Sequence, residues 1–260
     1  MYISKVKLKN SLFFYNEKVH LLLGDCMEIL KNIEDNSIDL IFADPPYFLS
    51  RKNGSTYKNG KIQSVYKGQW DEVKTLEEKN NFNNLWIKEC YRILKDTGTI
   101  WITGSKHNIY SIGVNLEKEN FQIINNIAWI KNNATPNISK RVFSFDNESI
   151  IWAKKQNTKG YIFNYKKMIE INNGIEMNDV WEIPVVSKFE KTFGQHPTQK
   201  PLELLERIIN GTSIQNAIIL DPFAGSSTTG VAAIRNGRRY IGIDKNVEYL
   251  ELSKRRILDL

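Results

Sequence analysis

Ile38-Asp39-Leu40-Ile41-Phe42-Ala43-Asp44-Pro45-Pro46-Tyr47 decides how the chain is read. A short apolar run is cut off by an acid and two prolines, as a buried strand ends. The same rhythm recurs outward in both directions: a short apolar run closed by Gly, Asp or Pro, then a helical period. Strands are expected at Val19 to Leu23, Ile38 to Ala43, Thr99 to Thr103, Asn126 to Ile130, Ser149 to Ala153, Ala217 to Leu220 and Arg239 to Ile243. Helices are expected at Cys26 to Ile33, Phe82 to Leu94, Asn108 to Glu119, Pro201 to Thr212, Thr228 to Asn236 and Val247 to Leu258. Pro201 suits a first helical position, and Gly98 and Gly237 suit turns after helices. The alternation implies an α/β fold with a mostly parallel, seven-stranded sheet and helices on both faces.

The 260 residues, 41% hydrophobic and 25% charged, suffice for one large domain with an insertion and exclude disorder, collagen and coiled coil. No apolar run approaches the roughly 18 residues of a membrane helix, so a cytoplasmic protein is expected. Cys26 and Cys90 stand apart, as do His20, His107 and His196, which argues against a disulfide framework or any metal site. A net charge of +7 suits a nucleic-acid partner, although moderately basic proteins are more often simply soluble. Two stretches break the rhythm: Phe48 to Lys79 reads as a long loop, and Lys154 to Gln195 as a small inserted region. The chain thus divides into 1–153, the insert 154–195 and 196–260.

Ligands bind at the carboxyl ends of strands in open parallel sheets, where Asp44 to Tyr47 fall. The prolines remove two N–H donors and fix the backbone, leaving their carbonyls aimed and free to accept. A carboxylate and a fixed carbonyl together can accept both hydrogens of an amino group conjugated into a ring, drawing its nitrogen toward a tetrahedral form. Tyr47 offers a face on which a planar base can stack. A simple strand-end turn is the alternative.

The second half holds Ile218-Ile219-Leu220-Asp221-Pro222-Phe223-Ala224-Gly225-Ser226-Ser227-Thr228-Thr229-Gly230: a buried strand, a small-residue turn and a helix start. Small residues admit a ligand close to the backbone, and the N–H groups opening the helix favour a carboxylate. About 20 residues on, a second strand ends in Asp244, whose carboxylate can accept two ribose hydroxyls. GxGxxG is absent, which argues against a nicotinamide or flavin site, while a purely structural strand-turn-helix stays open.

Asp44-Pro45-Pro46-Tyr47 resembles the motif of the amino-group DNA methyltransferases, and Asp first with Tyr last points within that family to N6 of adenine. Asp221 to Thr229 resembles the family's cofactor motif except at Ser227, where Gly is usual. If that position needs a positive φ, Ser costs on the order of 1 kcal/mol. His196-Pro197-Thr198-Gln199-Lys200-Pro201 matches the segment beside the cofactor's methionine; Thr198 and Lys200 suit its carboxylate and His196 fixes the loop. Gly24-Asp25, followed by Cys26, matches the place that contacts the cofactor adenine, although Asp25 suits a helix cap equally. The resemblance therefore implies S-adenosyl-L-methionine as cofactor, held by Asp25, Cys26, Asp44, Lys200, Asp221, Phe223, Ala224, Gly225, Ser226, Ser227, Thr228, Thr229 and Asp244. It assigns catalysis to Asp44, Pro45, Pro46 and Tyr47.

The acceptor motif precedes the cofactor motif, as in the β class of these enzymes, whose Rossmann-like fold is circularly permuted. Double-stranded DNA is then the partner, its adenine flipped onto Tyr47, and the resemblance allows a cognate restriction endonuclease and a homodimer. Arg51, Lys52, Lys58, Lys61 and Lys67, with Lys131, Lys140, Arg141, Lys154, Lys155, Lys166 and Lys167, are candidates to meet phosphates. Trp129 to Ser144 and the insert match the target-recognition region. Tyr47-Phe48-Leu49-Ser50, Gly68-Gln69-Trp70-Asp71 and Ser105-Lys106-His107-Asn108-Ile109-Tyr110 look like methylases of GATC-specific restriction systems. The competing readings are an RNA or cytosine-N4 methyltransferase and a non-catalytic nucleic-acid-binding subunit of the same fold.

Overall fold

The computed structural model describes residues 11–50, 71–132, 141, 143, 145–194 and 196–260, together with the backbone of 55–58 and 61–64. Arg51, Lys52, Lys67, Lys140 and the stretch 68–70 lie outside the described residues.

The elements run β1 (Leu12–Tyr15), β2 (Val19–Leu23), α1 (Cys26–Leu30), β3 (Ile38–Ala43), β4 (Ser55–Lys58), β5 (Lys61–Ser64), α2 (Leu76–Ile93) and β6 (Leu94–Gly104). They continue with α3 (Ile109–Lys118), β7 (Phe121–Ile130), β8 (Asn147–Lys155), α4 (Tyr165–Ile171), β9 (Val180–Glu182), α5 (Leu202–Thr212), β10 (Ile218–Asp221), α6 (Thr228–Arg235), β11 (Arg239–Asp244) and α7 (Val247–Leu258). The main sheet has the order β1-β2-β11-β10-β3-β6-β8-β7-β9, and β4 and β5 form a separate hairpin. Its centre, β2-β11-β10-β3-β6, is parallel. β1 pairs antiparallel with β2, β8 runs antiparallel to both β6 and β7, and β9 adds a parallel edge.

All seven expected strands are present, but the sheet has nine. The additions are edge strands too short to stand out in the sequence, β1 of four residues and β9 of three. α2 begins at Leu76, ahead of the expected Phe82, because Thr75 and Glu78 form a capping box: Thr75 Oγ1 accepts from Glu78 N at 3.2 Å and Thr75 N donates to Glu78 Oε2 at 2.7 Å. Pro201 is the N-cap of α5, not its first residue. Gly98 lies inside β6 instead of in a turn; a Cβ there would meet Asp39 O at 2.8 Å. Within the expected insert, α4 rests Met168 against Gly211 of α5, and β9 joins the sheet.

One face of the sheet packs on α1, α2 and α3 through Ile29, Leu30, Trp86, Ile87, Ile112 and Leu116. The other packs on α5, α6 and α7 through Leu204, Ile208, Val231, Ala232, Leu250 and Ile257. β3 and β10 divide their side chains between these layers, as strands buried on both sides do: Ile41 and Leu220 face the first, Phe42 and Ile219 the second. Asp39 fixes their meeting, since its Oδ2 accepts from Ile218 N at 2.8 Å while its Oδ1 holds Lys95 at 2.7 Å. Among the described residues no helix is long and apolar enough to cross a membrane.

Candidate active site

β3 and β10 are neighbours, with Leu40 opposite Ile219 and Ile41 opposite Leu220. From β10 the chain winds through α6 to β11 on one side; from β3 it winds through α2 to β6 on the other. The strand order therefore reverses between them, and a crevice opens beyond their carboxyl ends. Asp44 follows β3, and Asp221 closes β10. Residues far apart in sequence thus meet at one rim.

Asp44 is enclosed by donors. Thr103 Oγ1 donates to its Oδ1 at 2.5 Å, Tyr47 Oη lies 2.9 Å from the same oxygen, and Lys200 Nζ donates to Oδ2 at 2.5 Å. Tyr47 Oη also lies 3.0 Å from Glu148 Oε2, so its single proton serves one of two carboxylates. Lys131 closes an ion pair on the other oxygen of Glu148. Burial, and then the two carboxylates, push the Tyr47 phenol far above its ordinary pKa of 10.0. Burial alone would lower the Lys200 ammonium, but Asp44 and Glu148 outweigh it and the net shift is upward. The cluster accordingly holds a neutral phenol and a charged ammonium.

The backbone after β3 is held by side chains. Asn108 Nδ2 donates to Pro46 O at 3.2 Å, so of the two proline carbonyls expected to be free, only that of Pro45 lacks a donor among the described residues. Asp71 accepts from Tyr47 N at 3.0 Å and from Ser50 Oγ at 2.9 Å. A bridge between Ser50 and Glu72 completes the tie, so the long loop leaves and rejoins the protein at one point. Phe48 takes φ of 56° there and buries its ring edge-on against Phe82, which in turn approaches Phe223.

The second half builds a tight turn on β10. Asp221 accepts from Phe223 N at 3.0 Å and Thr229 Oγ1 at 2.6 Å, and burial pushes its carboxyl up to about 7. Gly225 at φ 51° brings the backbone against the His196 ring, 3.0 Å from where a Cβ would stand. Asp244 accepts from Gly225 N and Asn246 N, each at 2.8 Å, tying this turn to the end of β11. α7 supports it from behind, with Ser253 Oγ on Gly225 O at 2.9 Å and Arg256 on Thr228 Oγ1 at 3.0 Å. Ser227 is left-handed, φ 51° and ψ 43°, so the condition for strain is met. Its Oγ, fully buried, accepts from Tyr240 Oη at 3.1 Å. Asp25 sits beside Asp244, since Leu23 pairs with that residue, and caps α1 by accepting from Met27 N at 2.8 Å. The Cys26 thiol is buried, and burial pushes its pKa up to about 12.

The sequence assigned Lys200 to a ligand's carboxylate; the carboxylate it meets is that of Asp44. Its neighbour Gln199 keeps a buried Oε1 without a partner while its Nε2 is bound to Glu190 O. Gln199 lines a narrow cleft with Asp44, Asp221 and residues 223–226, 228 and 229. An orphaned acceptor among small residues beside the start of α6 fits the ammonium and carboxylate of an amino-acid moiety, and Asp244 with Asp25 fits its nucleoside. On the far side of Tyr47 and Lys200 lies a cavity of ≈ 700 Å³, lined by Trp129, Phe145, Glu148 and Val185 among others. Thr103 and Glu148 stand in no motif of the sequence, and Asp71, Asn108 and Gln199 lie in quoted motifs that gave them no role, because each acts through a contact that only the fold creates.

Several of the expected phosphate contacts have partners within the protein: Lys131 with Glu148, buried Lys155 with Asn36 at 2.7 Å, Lys154 with Thr158 O at 3.0 Å and Lys167 with Glu170 at 3.1 Å. β8 runs antiparallel to β6, which puts Lys154 opposite Thr99, at the end of the sheet away from Asp44. α4 stands at that end too, its cap Asn164 bonded to Asn210 O and Ser213 O where α5 leads into β10.

The chain matches a family model described as DNA methylase over residues 38–255. It is 48% identical to Type II methyltransferase M2.MboI of Moraxella bovis over 241 residues, 93% of this chain and 88% of that protein. A crystal structure of an M1.HpyAVI complex with S-adenosylmethionine superposes with a TM-score of 0.70 at 30% identity, covering 93% of this chain and all of that one. The PvuII cytosine-N4-specific DNA methyltransferase, 20% identical, shares the fold with a TM-score of 0.78 over 96% of this chain and 89% of its own. The crevice between β3 and β10, and the two motifs at its rim, accord with these likenesses. The chain belongs to the DNA methylase family and is a site-specific, S-adenosylmethionine-dependent DNA methyltransferase of the adenine-N6 type found in restriction-modification systems.

Proposed function

We propose that Asp44 and the Pro45 carbonyl accept the two N6 hydrogens of an adenine turned out of the duplex and stacked on Tyr47. The observation that carries this reading is the position of Asp44, which lines the narrow cleft and bonds Tyr47 and Lys200 on the wall of the cavity, its carboxylate already bound to an amine. S-adenosylmethionine, when bound, supplies an electrophilic methyl group. Asp221, Phe223 to Thr229 and Asp244, with Asp25 and the Cys26 backbone, hold it on the cleft side. Asp44 draws electron density toward N6 and orients its lone pair; the N6–methyl bond would form as the sulfur–methyl bond breaks to leave a neutral thioether, and the surplus N6 proton then passes to solvent. Thr103 and Asn108 keep Asp44 and Pro46 fixed, so that the geometry exists before the base enters. The target sequence is GATC, on the likeness of residues 47–50, 68–71 and 105–110 noted above. Recognition falls to 129–144 and to the insert 154–195, of which Val185, Val186 and Lys191 line the cavity. The same reading includes cytoplasmic DNA as substrate, a cognate restriction endonuclease and a homodimer.

The test measures methyl incorporation from labelled cofactor into duplex DNA by Asp44→Ala and Tyr47→Ala enzymes shown to bind cofactor, with digestion to nucleosides. Asp44→Ala is expected to lose at least about 10²-fold, the scale of losing an oriented polar contact in a transition state. Full activity would sink the assignment. Protection against a panel of methylation-sensitive nucleases tests GATC.

A further inference from the structure

Lys200 stands where the target has to go. Its Nζ donates to Asp44 Oδ2 at 2.5 Å and lies 5.4 Å from the centroid of the Tyr47 ring. A single ammonium therefore fills the place of the amino group on the acid and covers the stacking surface beside it. Its side chain is 8% exposed, and Thr198, Gln199 and Lys200 line both the narrow cleft and the large cavity. The cleft on the cofactor side encloses only ≈ 30 Å³. Target nitrogen and methyl donor have to meet through this partition, and Lys200 fills it.

A buried ammonium is not released into an apolar site without another counter-charge, because the uncompensated charge costs several kcal/mol. Glu148 Oε2 is already 3.9 Å from Lys200 Nζ and Lys131 holds the opposite oxygen of that carboxylate, so a short swing exchanges one ion pair for another. Tyr47 Oη, in reach of both acids, can turn its proton to whichever carboxylate the ammonium leaves.

We propose that Lys200 is an internal stand-in for the target amine, and that Glu148 is a positioning residue which receives the ammonium when the base arrives, uncovering Asp44. This rests on the reading of Asp44 as the N6 acceptor. No bond is made or broken; the device is an exchange of counter-ions.

The experiment measures single-turnover methyl transfer to duplex DNA, at saturating cofactor and DNA, in a double-mutant cycle of Glu148→Gln and Lys200→Met. With Lys200 in place, Glu148→Gln slows transfer on the order of tenfold, within the range of coupling between contacting groups. Glu148→Asp, which keeps the charge, recovers part of that loss. With Lys200→Met the same Glu148→Gln change costs less than about twofold, because no ammonium needs a landing site. Equal losses in both backgrounds would make Glu148 a support for Tyr47 or Lys131 and overturn the proposal. A Lys200→Met enzyme that binds cofactor and DNA but transfers nothing overturns it as well. If Lys200→Met fails to fold, Lys200→Gln, which leaves Asp44 a neutral donor, takes its place in the cycle. Full activity of Asp44→Ala would instead remove the underlying reading, so the two failures are separable.

Discussion

Ser227 shows how a single side chain departs from a motif and is accommodated. The left-handed backbone disfavours it by about 1 kcal/mol, while the buried Tyr240 hydroxyl, with no other partner among the described residues, would lose about 1–3 kcal/mol without its Oγ. Tyr240 is pressed against this turn, since a Cβ on Gly230 would come within 2.5 Å of its ring. Ser227→Gly is therefore expected to leave stability unchanged or lower it by up to about 2 kcal/mol, the difference of those two effects. In a Tyr240→Phe background it should stabilise by about 1 kcal/mol, read from urea midpoints. Equal stabilisation in both backgrounds would mean that the hydroxyl pair compensates nothing. Asp44, Tyr47 and Asp221 were legible because strand ends expose them to chemistry in a fixed order. Glu148 and Gln199 were not, because a lone acid at a strand start and an amide in a loop acquire meaning only from what folding sets beside them.

At the scale of elements, the loop after β3 is governed by its base. Asp71 closes that base by accepting from Tyr47 N and Ser50 Oγ, and it is 1% exposed. Asp71→Ala should leave the Tyr47 N–H unsatisfied and let the motif shift, lowering methyl transfer by about 10²-fold, the effect of an ångström-scale misplacement. Asp71→Asn, which keeps one acceptor, should fall between. Transfer by Asp71→Ala at the wild-type rate would show that the tie is incidental. The central strands could be read because their residues are apolar on both faces. β1 and β9 could not, since short edge strands owe their existence to a neighbour, and the first turns of α2 were hidden because Glu77 to Asn81 carry no apolar period. Their signal was the Thr75–Glu78 cap.

For the whole molecule, the +7 charge has an address that sequence gives only in part. Residues 48–79 hold seven basic and four acidic side chains, and 130–200 hold eleven and seven. Of the second group, Lys131 and Lys200 neutralise acids inside the site and Lys154 and Lys155 stand at the remote end of the sheet. DNA affinity should therefore fall steeply with salt. Neutralising Arg51 and Lys52 should flatten the slope of log K against log salt by about 1.8, at roughly 0.9 per phosphate contact. Neutralising Lys154 and Lys155 should leave the slope alone, and a change as large as the first would put DNA on the other end of the sheet.

The strand order also sets a timetable for synthesis. β1 and β2 form one piece of the sheet, β3 with β6 to β9 another, and no strand pairing joins them until β10 and β11 slot between. About 180 residues separate the β3 and β10 edges that pair, and at 5–20 residues per second a ribosome needs roughly 10–40 s to cross that gap. Throughout that interval the Leu40 and Ile41 edge waits unpaired on the nascent chain, so the sheet closes only after β10 and β11 have been made. The rim at which methyl transfer takes place is thus assembled last.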